Sequence, residues 1–382
     1  MQAYFSKSAF DFSEADWQSL SGAGNSDGDP FASRAFLGTA EKVGAVGPAL
    51  GWQAHHISLR DNDDKLAAML PLYLRSHSFG DFSRDWNWPS AWQRAGLDYY
   101  PKLVSGIPYT PSPGPRLLVR KGLEAQTWSA DLIAAAKAET DRLNASSWQC
   151  LFVEEADREQ LAEAGLLMRR GVQFHWINHG YTSFEDFLAE FTADKRKKLK
   201  RERRAVAESG LRLEVRHGEE IDARLWQAIH RHYRDTFARH GNHPAFPFEF
   251  FTEAGSLLGR QLLVFLAFAG EQAVASAICY QDATTLFGRH WGTEIHLPGL
   301  HFELCYYQGI EYAIRHGLKR FEPGAQGEHK LARGFEPVPT WSGFWITDPR
   351  MRQAVEDFVM REDAAMQDYE AETAAHLPFK SG

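Results

Sequence analysis

Cysteine is scarce in this sequence: three cysteines occur among 382 residues, far apart and never in a CxxC pair. An odd number of isolated cysteines does not support a disulfide framework, and it favours reduced thiols. The amino-terminal segment lacks the basic stretch and following apolar stretch of a secretory signal. The longest apolar run, Leu262 to Ala269, is too short for a membrane helix. We therefore expect a cytoplasmic protein without a membrane span.

Motifs of several large enzyme classes are also missing. The sequence contains no P-loop and no GxGxxG that follows a strand. His290, His301, Glu303 and His329 are the best set of metal-ligating residues, but they lack a spacing such as HExxH or CxxC. We therefore expect no metal and no resident cofactor. The net charge of −8 excludes general adsorption to nucleic acid, so any polyanion site must be a local patch.

The order of elements predicts an α/β fold. Hydrophobic residues make up 44% of the chain and charged residues 24%, as in globular proteins, and the length suggests two domains. Strands alternate with helices in the first half. After Gly180 a meander of strands from Gln261 to Arg289 precedes a helix over 301–316 and a strand from Lys319 to Glu322. We predict an amino-terminal domain over 1–180 and a carboxyl-terminal domain over 181–382.

The beginning of the 301–316 helix is a candidate binding position. An apolar stripe along this helix predicts core packing, whereas His301 and Glu303 lie at its amino-terminal end and off the stripe. The backbone amides and the helix dipole attract an anion or a polarised carbonyl there. Helix capping together with surface charge is the alternative interpretation.

A basic helix is the most unusual charge feature of the chain. Eight of the ten residues from Lys195 to Arg204 are Lys or Arg, and Arg196, Lys200 and Arg203 share one face. Like charges four residues apart destabilise a helix. The phosphates of tRNA, a nucleotide-linked substrate or acidic side chains of the same chain would relieve the repulsion. A solvated helix face is the structural alternative.

These features together resemble a known family. The matching pieces are Tyr99 to Leu103, Pro108 to Pro111, Phe174 to Trp176, His290 to Gly292 and Phe321 to Phe335. With the basic helix, they make the chain similar to the FemAB-like predicted N-acyltransferases, which are related to Fem-type aminoacyl-tRNA-dependent ligases within the GNAT superfamily. The resemblance covers nearly all of residues 30–375. It implies tandem GNAT-like acyltransferase domains packed around a central cleft.

The resemblance also implies roles for individual residues. In a Fem-type reaction an amine attacks an activated acyl carbonyl, and the enzyme stabilises the oxyanion. Lys330 matches the basic residue near the aminoacyl ester, Glu322 would receive the amine's proton or orient the amine, and His329 is the competing base. A tight turn followed by a polar loop is the structural alternative. The expected substrate-binding residues are Asp85, Trp86, Tyr109, Arg196, Lys200, Arg203, His290, Trp291, His301 and Glu303.

The acyl donor stays open between aminoacyl-tRNA and acyl-CoA. In a GNAT the loop before the helix holds the CoA pyrophosphate with backbone amides. Here that loop, Gly292 to Gly299, contains a glutamate, and Pro298 removes one donor. The expected acceptor is an amine on a small molecule, a peptide or a cell-wall precursor. Two alternatives remain: an acyl-CoA-dependent GNAT N-acetyltransferase, and a tRNA- or nucleotide-binding module without catalysis.

Overall fold

The computed structural model describes residues 2–22, 28–325 and 327–380. Gln326, in the predicted Gly324–Gly327 turn, lies outside the described residues. Up to Ile177 the elements are β1 (Ala3–Ser6), α1 (Glu14–Ser19), α2 (Arg34–Lys42), β2 (Trp52–Ala54), β3 (His56–Arg60), β4 (Leu66–Leu70), β5 (Tyr73–Arg75), α3 (Trp88–Arg94), β6 (Lys102–Ser105), β7 (Leu118–Val119), α4 (Ala125–Arg142), β8 (Ser147–Val153), α5 (Glu155–Glu163) and β9 (Leu167–Ile177).

The later elements are α6 (Phe184–Ala189), α7 (Ala193–Ala207), β10 (Arg212–His217), α8 (Ala223–Arg239), α9 (Phe248–Leu258), β11 (Leu262–Ala269), β12 (Gln272–Gln281), β13 (Thr285–Thr293), α10 (Leu300–Phe302), α11 (Gln308–Arg315), β14 (Arg320–Glu322), β15 (Glu336–Ile346) and α12 (Pro349–Ala374). A π-helical turn, Glu303–Tyr307, joins α10 to α11, and a 3₁₀ helix, Glu328–Arg333, precedes β15. Within the described ranges, no helix combines the length and the apolar character needed to cross a bilayer.

The chain divides into two compact units. The first unit contains residues 1–171 and 339–368, and the second contains residues 172–338 and those from 369 onward. The sequence predicts a single boundary at 180, with everything after it in the second domain. The structure differs for residues 339–368, which belong to the first unit because β15 pairs antiparallel with β8 between Trp341 and Ile346.

The first unit contains two sheets. One has the strand order β1-β3-β4-β7, and the other has the strand order β15-β8-β6-β5-β2. In the second sheet β6 runs parallel to β8. Apolar side chains of the strands pack against α4 and α5, and a separate aromatic core joins α3 to α12. These two cores include Ile57, Leu70, Leu132, Trp148 and Leu161, and Trp88, Trp92, Phe344, Met351 and Val355 respectively.

The second unit is built on the strand order β10-β11-β12-β13-β14, with residues of β9 beside β14. Strands β10 to β13 form an antiparallel meander. Strand β14 then pairs parallel with β13, with the helical segment α10–α11 as the crossover. The sequence predicts this order of meander, helix and strand. Its core includes Trp176, Phe187, Leu263, Ile310 and Phe321.

The crossover helix departs from the regular helix that the sequence predicts over 301–316. It contains the π-helical turn, and four of the five residues in that turn are buried: Glu303, Leu304, Tyr306 and Tyr307. A π turn adds a residue to one helical turn, and such turns are frequent at functional sites. The turn therefore places a carboxylate and two phenols inside the second unit.

Candidate active site

Glu322 lies at the carboxyl end of β14. Parallel pairing places it beside Phe287 of β13, and Arg289 lies two residues further along β13, where the register with β12 shifts. Both carboxylate oxygens of Glu322 accept hydrogen bonds from Arg289, each at 2.9 Å. Only 1% of Glu322 is exposed. Because the bidentate pair fixes the carboxylate, Glu322 is held in one orientation, and Arg289 is a site residue that the sequence analysis did not single out.

Lys330 is buried within the 3₁₀ helix that precedes β15. Its ammonium group donates to the carbonyl oxygen of Gly324. Burial lowers the pKa of Lys330 to about 8, Glu322 opposes this effect, and Arg289 adds to it. Among the residues that the structure describes, no carboxylate lies within ion-pairing distance of Lys330 Nζ. A lysine with this pKa can supply or withhold a positive charge near neutral pH.

Three predicted residues, Trp291, His301 and His329, lie together beside Lys330. The rings of Trp291 and His301 meet edge to face with centroids 5.3 Å apart, and those of His301 and His329 are 6.3 Å apart. Burial and the charges of His329, Arg333 and Lys330 lower the pKa of His301 to about 4. Burial, Lys330 and Arg333 also lower the pKa of His329. Both imidazoles are therefore neutral at pH 7 and able to accept a proton.

Two residues that the sequence analysis did not identify, Tyr306 and Arg333, position His329. Nε2 of His329 is 2.7 Å from the Tyr306 hydroxyl, and the Arg333 guanidinium donates to the His329 carbonyl at 3.0 Å. Arg333 also lies 3.3 Å above the ring of Phe302. Tyr306 lies within the π turn and is buried.

Arg333 also connects this site to the basic helix α7. It donates to the Tyr307 hydroxyl at 3.1 Å and to Glu202 of α7 at 3.1 Å. The Tyr307 hydroxyl donates to Glu202 in turn. Glu202 is the single acidic residue in the run from Lys195 to Arg204. An acidic residue within a basic run indicates, from the sequence alone, a contact with the rest of the chain.

The acidic side chains of the chain itself neutralise part of α7. Glu303 is 3% exposed and accepts from Arg203 at 3.0 Å, and Arg203 donates to Glu311 at 2.8 Å. Lys200 forms an ion pair with Glu185 at 2.7 Å, in which both side chains are exposed. An exposed pair of this kind contributes little stability. Neutralisation by acidic side chains of the same chain therefore applies most strongly to Arg203.

The remaining cations of α7 face solvent. Leu199 and Val206 are its buried residues, seven positions apart, so the helix packs through a narrow stripe. Along the described chain, no ion pair involves the basic residues Arg196, Lys197, Lys198, Arg201 and Arg204. These five residues, with Ala193, Asp194 and Lys200, line a shallow depression of about 630 Å³. A cationic surface of this kind suits a polyanion.

Helix α7 packs against Gly299, the last residue of the loop before α10, whereas Glu294, His296 and Pro298 of that loop are exposed. Gly299 has a left-handed backbone (φ 89°), and a Cβ at this position would lie 3.4 Å from the Glu202 carbonyl oxygen. The amides of Leu300 and Glu303 already donate to Leu297 and Gly299. The α7 backbone at Glu202 and the buried Glu303 carboxylate therefore both lie at the start of α10.

His290 does not join the other predicted residues of the second unit. It precedes Trp291 on β13, and neighbouring side chains of a strand point to opposite faces. Its ring packs against Tyr233 and Phe246, with centroids 4.7 and 6.0 Å away. Burial and Arg289 lower its pKa to about 3. Within the residues described, no group of three or more His, Cys, Asp or Glu side chains is arranged to hold a metal ion.

Asp85, Trp86 and Tyr109 belong to the first unit. Asp85 is buried and accepts from Lys102 at 2.5 Å and from Tyr99. Burial raises the pKa of Asp85, but the charge and hydrogen bond of Lys102, together with the hydrogen bonds of Tyr99 and Ser78, lower it to about 2. Trp86 is 68% exposed, and the Tyr109 hydroxyl donates to the Ala45 carbonyl at 3.2 Å. Asp85 thus forms an internal ion pair with Lys102, whereas Trp86 is exposed to solvent.

Solved structures of other proteins share this fold. FemX is 12% identical, with a TM-score of 0.53 over 93% of this chain and 100% of its own. A carboxyl-terminal domain described as lysylphosphatidylglycerol synthetase, from Agrobacterium fabrum, is 11% identical, with a TM-score of 0.53 over 91% and 98%. L-PGS from Bacillus licheniformis is 11% identical, with a TM-score of 0.50 over 84% and 91%.

The family model for FemAB-like proteins, described as peptidoglycan biosynthesis/recognition, matches residues 8–381. No curated protein matches the chain. The match confirms the resemblance that the sequence motifs indicate, and the solved structures confirm the α/β fold. The chain belongs to the FemAB-like family.

Proposed function

We propose that the protein is an N-acyltransferase that moves an aminoacyl group from aminoacyl-tRNA to an amine. The observation that carries this proposal is Lys330: a buried ammonium group without a carboxylate partner among the described residues, beside two neutral imidazoles. Burying a cation without its own counter-ion costs stability. A negative charge that develops on the substrate would recover that cost during the reaction.

The proposed reaction assigns a step to each residue. The acceptor nitrogen attacks the carbonyl carbon of the aminoacyl ester, and the charge that forms on the carbonyl oxygen is stabilised by Lys330. His329, oriented by Tyr306 and Arg333, takes the proton that the nitrogen loses. The carbon–oxygen ester bond then breaks, and His329 gives the proton it took to the leaving oxygen of the tRNA. Glu322, held by Arg289, orients the amine and does not need to change its charge.

The solvent-facing residues of α7 support tRNA as the carrier of the acyl group. Lys197, Lys198, Arg201 and Arg204 are exposed and lack ion pairs with any described residue. Each phosphate that such a cation neutralises releases condensed counter-ions, so binding weakens steeply with salt. The family's description supports an acceptor amine on a peptidoglycan precursor.

The donor is tested by binding at physiological salt. Purified protein is titrated with bulk aminoacylated tRNA and, separately, with acetyl-CoA. A variant with Lys197, Lys198, Arg201 and Arg204 changed to Gln should bind tRNA at least about ten-fold more weakly, with a salt dependence reduced by about three counter-ions. The matched control changes four exposed cations elsewhere to Gln: Lys65, Arg94, Lys121 and Arg361.

The control variant loses the same number of positive charges as the α7 variant. Comparing the two therefore separates binding at α7 from a general electrostatic effect. If both variants lose tRNA affinity equally, α7 is not the binding surface. Tight acetyl-CoA binding without tRNA binding would replace the proposed donor by acyl-CoA. Saturable tRNA binding with no transfer to any amine, and with the affinity unchanged in Lys330→Met, would indicate a binding module instead of an enzyme.

A further inference from the structure

A loop of the first unit, residues 78–86, alternates buried polar side chains with exposed ones; we call it the aromatic loop. Asp81, Ser83 and Asp85 are buried, whereas Phe82, Arg84 and Trp86 are exposed, as is Phe79. Phe79, Phe82 and Trp86 are 57%, 39% and 68% exposed. Leu50, 44% exposed, adjoins the loop through His77. Three of the eight large exposed hydrophobic side chains in the described chain therefore belong to this loop, and a fourth, Leu50, contacts the residue that precedes it.

Three buried or half-buried cations hold the aromatic loop in position. Lys102 binds the carboxylates of Asp81 and Asp85 at 2.9 and 2.5 Å. Arg75 donates to the Phe79 carbonyl at 2.6 Å, and Arg169 donates to the Ser83 carbonyl at 2.8 Å. The loop's outward side chains are thus presented on a fixed backbone.

The backbone of the loop is strained where it presents these side chains. Phe82 and Arg84 have φ angles of 61° and 56°, in the left-handed region that residues with a Cβ rarely adopt. The ion pairs of Asp81 and Asp85, on either side, keep both residues there. Strain combined with solvent-exposed aromatic rings opposes stability, so the arrangement points to a partner that covers the rings.

The exposed area favours a lipid surface as that partner. A buried aromatic side chain covers roughly 150–250 Å², so the exposed fractions here amount to about 400 Å². A stable protein interface needs about 800 Å² from each partner, twice what the loop and Leu50 provide. Insertion into the interfacial layer of a membrane needs only a few Trp and Phe side chains, with an Arg at phosphate level.

We infer that the aromatic loop is a membrane-surface anchor for an anionic bilayer. Phe79, Phe82 and Trp86 enter the boundary between headgroups and acyl chains, and Arg84 pairs with lipid phosphate. No side chain in the described ranges forms an ion pair with Arg84. The net charge of −8 opposes long-range attraction to such a surface, so the aromatic side chains supply most of the affinity. The inference does not depend on the acyl-transfer proposal.

The test is co-sedimentation with vesicles. Wild-type protein should sediment with vesicles of phosphatidylcholine and phosphatidylglycerol, and less with phosphatidylcholine alone. Phe79→Ser with Trp86→Ser should lower the partition coefficient at least about ten-fold, because each ring leaves an apolar environment. Arg84→Gln should remove most of the difference between the two vesicle types. The matched control is Leu257→Ser with Met360→Ser, whose side chains are 56% and 68% exposed.

A second measurement follows the wild-type protein itself. Vesicles with brominated acyl chains should quench part of its tryptophan fluorescence, and the quenched part should disappear in Trp86→Phe. Three results would overturn the inference: no sedimentation of the wild type with either vesicle, equal loss of binding in the Leu257/Met360 control, or quenching unchanged in Trp86→Phe. A wild-type dimer that the Phe79/Trp86 variant converts to monomer would instead assign the patch to a second copy of the chain.

Discussion

Lys102 of the first unit and Lys330 of the second are both buried, with at most 1% exposure, but their surroundings differ. The Lys102 ammonium group contacts the side chains of Asp81, Asp85, Ser83 and Gln149. The Lys330 ammonium group donates to a backbone carbonyl, and the nearby carboxylate of Glu322 is held by Arg289. A buried cation with two counter-ions stabilises a loop, whereas one without a counter-ion in reach is available to a substrate.

Removing the charge of Lys330 should have the largest effect on the reaction. In Lys330→Met the side chain keeps its approximate volume and loses its charge, so the oxyanion loses its stabilising partner. We expect kcat for aminoacyl transfer to fall about 10²- to 10³-fold. The assay follows a labelled amino acid from charged tRNA to a peptidoglycan-precursor peptide with a free amine. Transfer at the wild-type rate in this variant would exclude Lys330 from the chemistry.

Removing the charge of Lys102 should instead affect folding. Lys102→Met leaves Asp81 and Asp85 buried without a counter-ion, which should lower the free energy of unfolding by about 3–5 kcal/mol. Urea titration monitored by circular dichroism measures this loss. Adding Asp85→Asn to Lys102→Met should recover part of it, since one uncompensated charge disappears. If Lys330→Met lost as much stability as Lys102→Met, the distinction between the two lysines would not hold.

The dependence of stability on pH should give the smallest effect. The pKa of Lys330 is about 8 in the folded protein, against 10.5 without the fold. Between these values the unfolded chain binds more protons, so wild-type stability should rise with pH relative to Lys330→Met. The gain over the whole window should be about 1–3 kcal/mol. Urea titrations of both proteins between pH 7 and about 10.5 measure this gain. If the stability of the wild type relative to Lys330→Met fell with rising pH, the lowered pKa of Lys330 would be contradicted.

Local pattern predicted much of the second unit. The strand and helix periodicities indicate the meander, the crossover helix and β14, whereas Lys330 was singled out by the resemblance to Fem-type sites and not by local pattern. Strand alternation was also sufficient to separate His290 from Trp291, although the sequence analysis grouped them. The Arg289–Glu322 pair was harder to predict from the sequence, because it depends on the parallel register of β13 and β14.

Other features depend on contacts that no local pattern encodes. The pairing of β15 with β8 joins residues almost two hundred positions apart, so the assignment of residues 339–368 could not be predicted from neighbouring residues. The partner of Asp85, Lys102, lies on a separate strand, and Asp85, which the sequence analysis expected to bind substrate, is a buried anchor. The π turn that contains Tyr306 has no distinct periodicity over five residues.

The most direct test is the titration of Lys330 itself. Protein labelled with ¹³C at lysine Cε gives one resonance that disappears in Lys330→Met, and its chemical shift is followed against pH. The account predicts a midpoint near pH 8, about 2.5 units below that of an ordinary lysine. A midpoint near 10.5 would show that Lys330 has a counter-ion or solvent around it, and would contradict its role as the uncompensated cation of the active site.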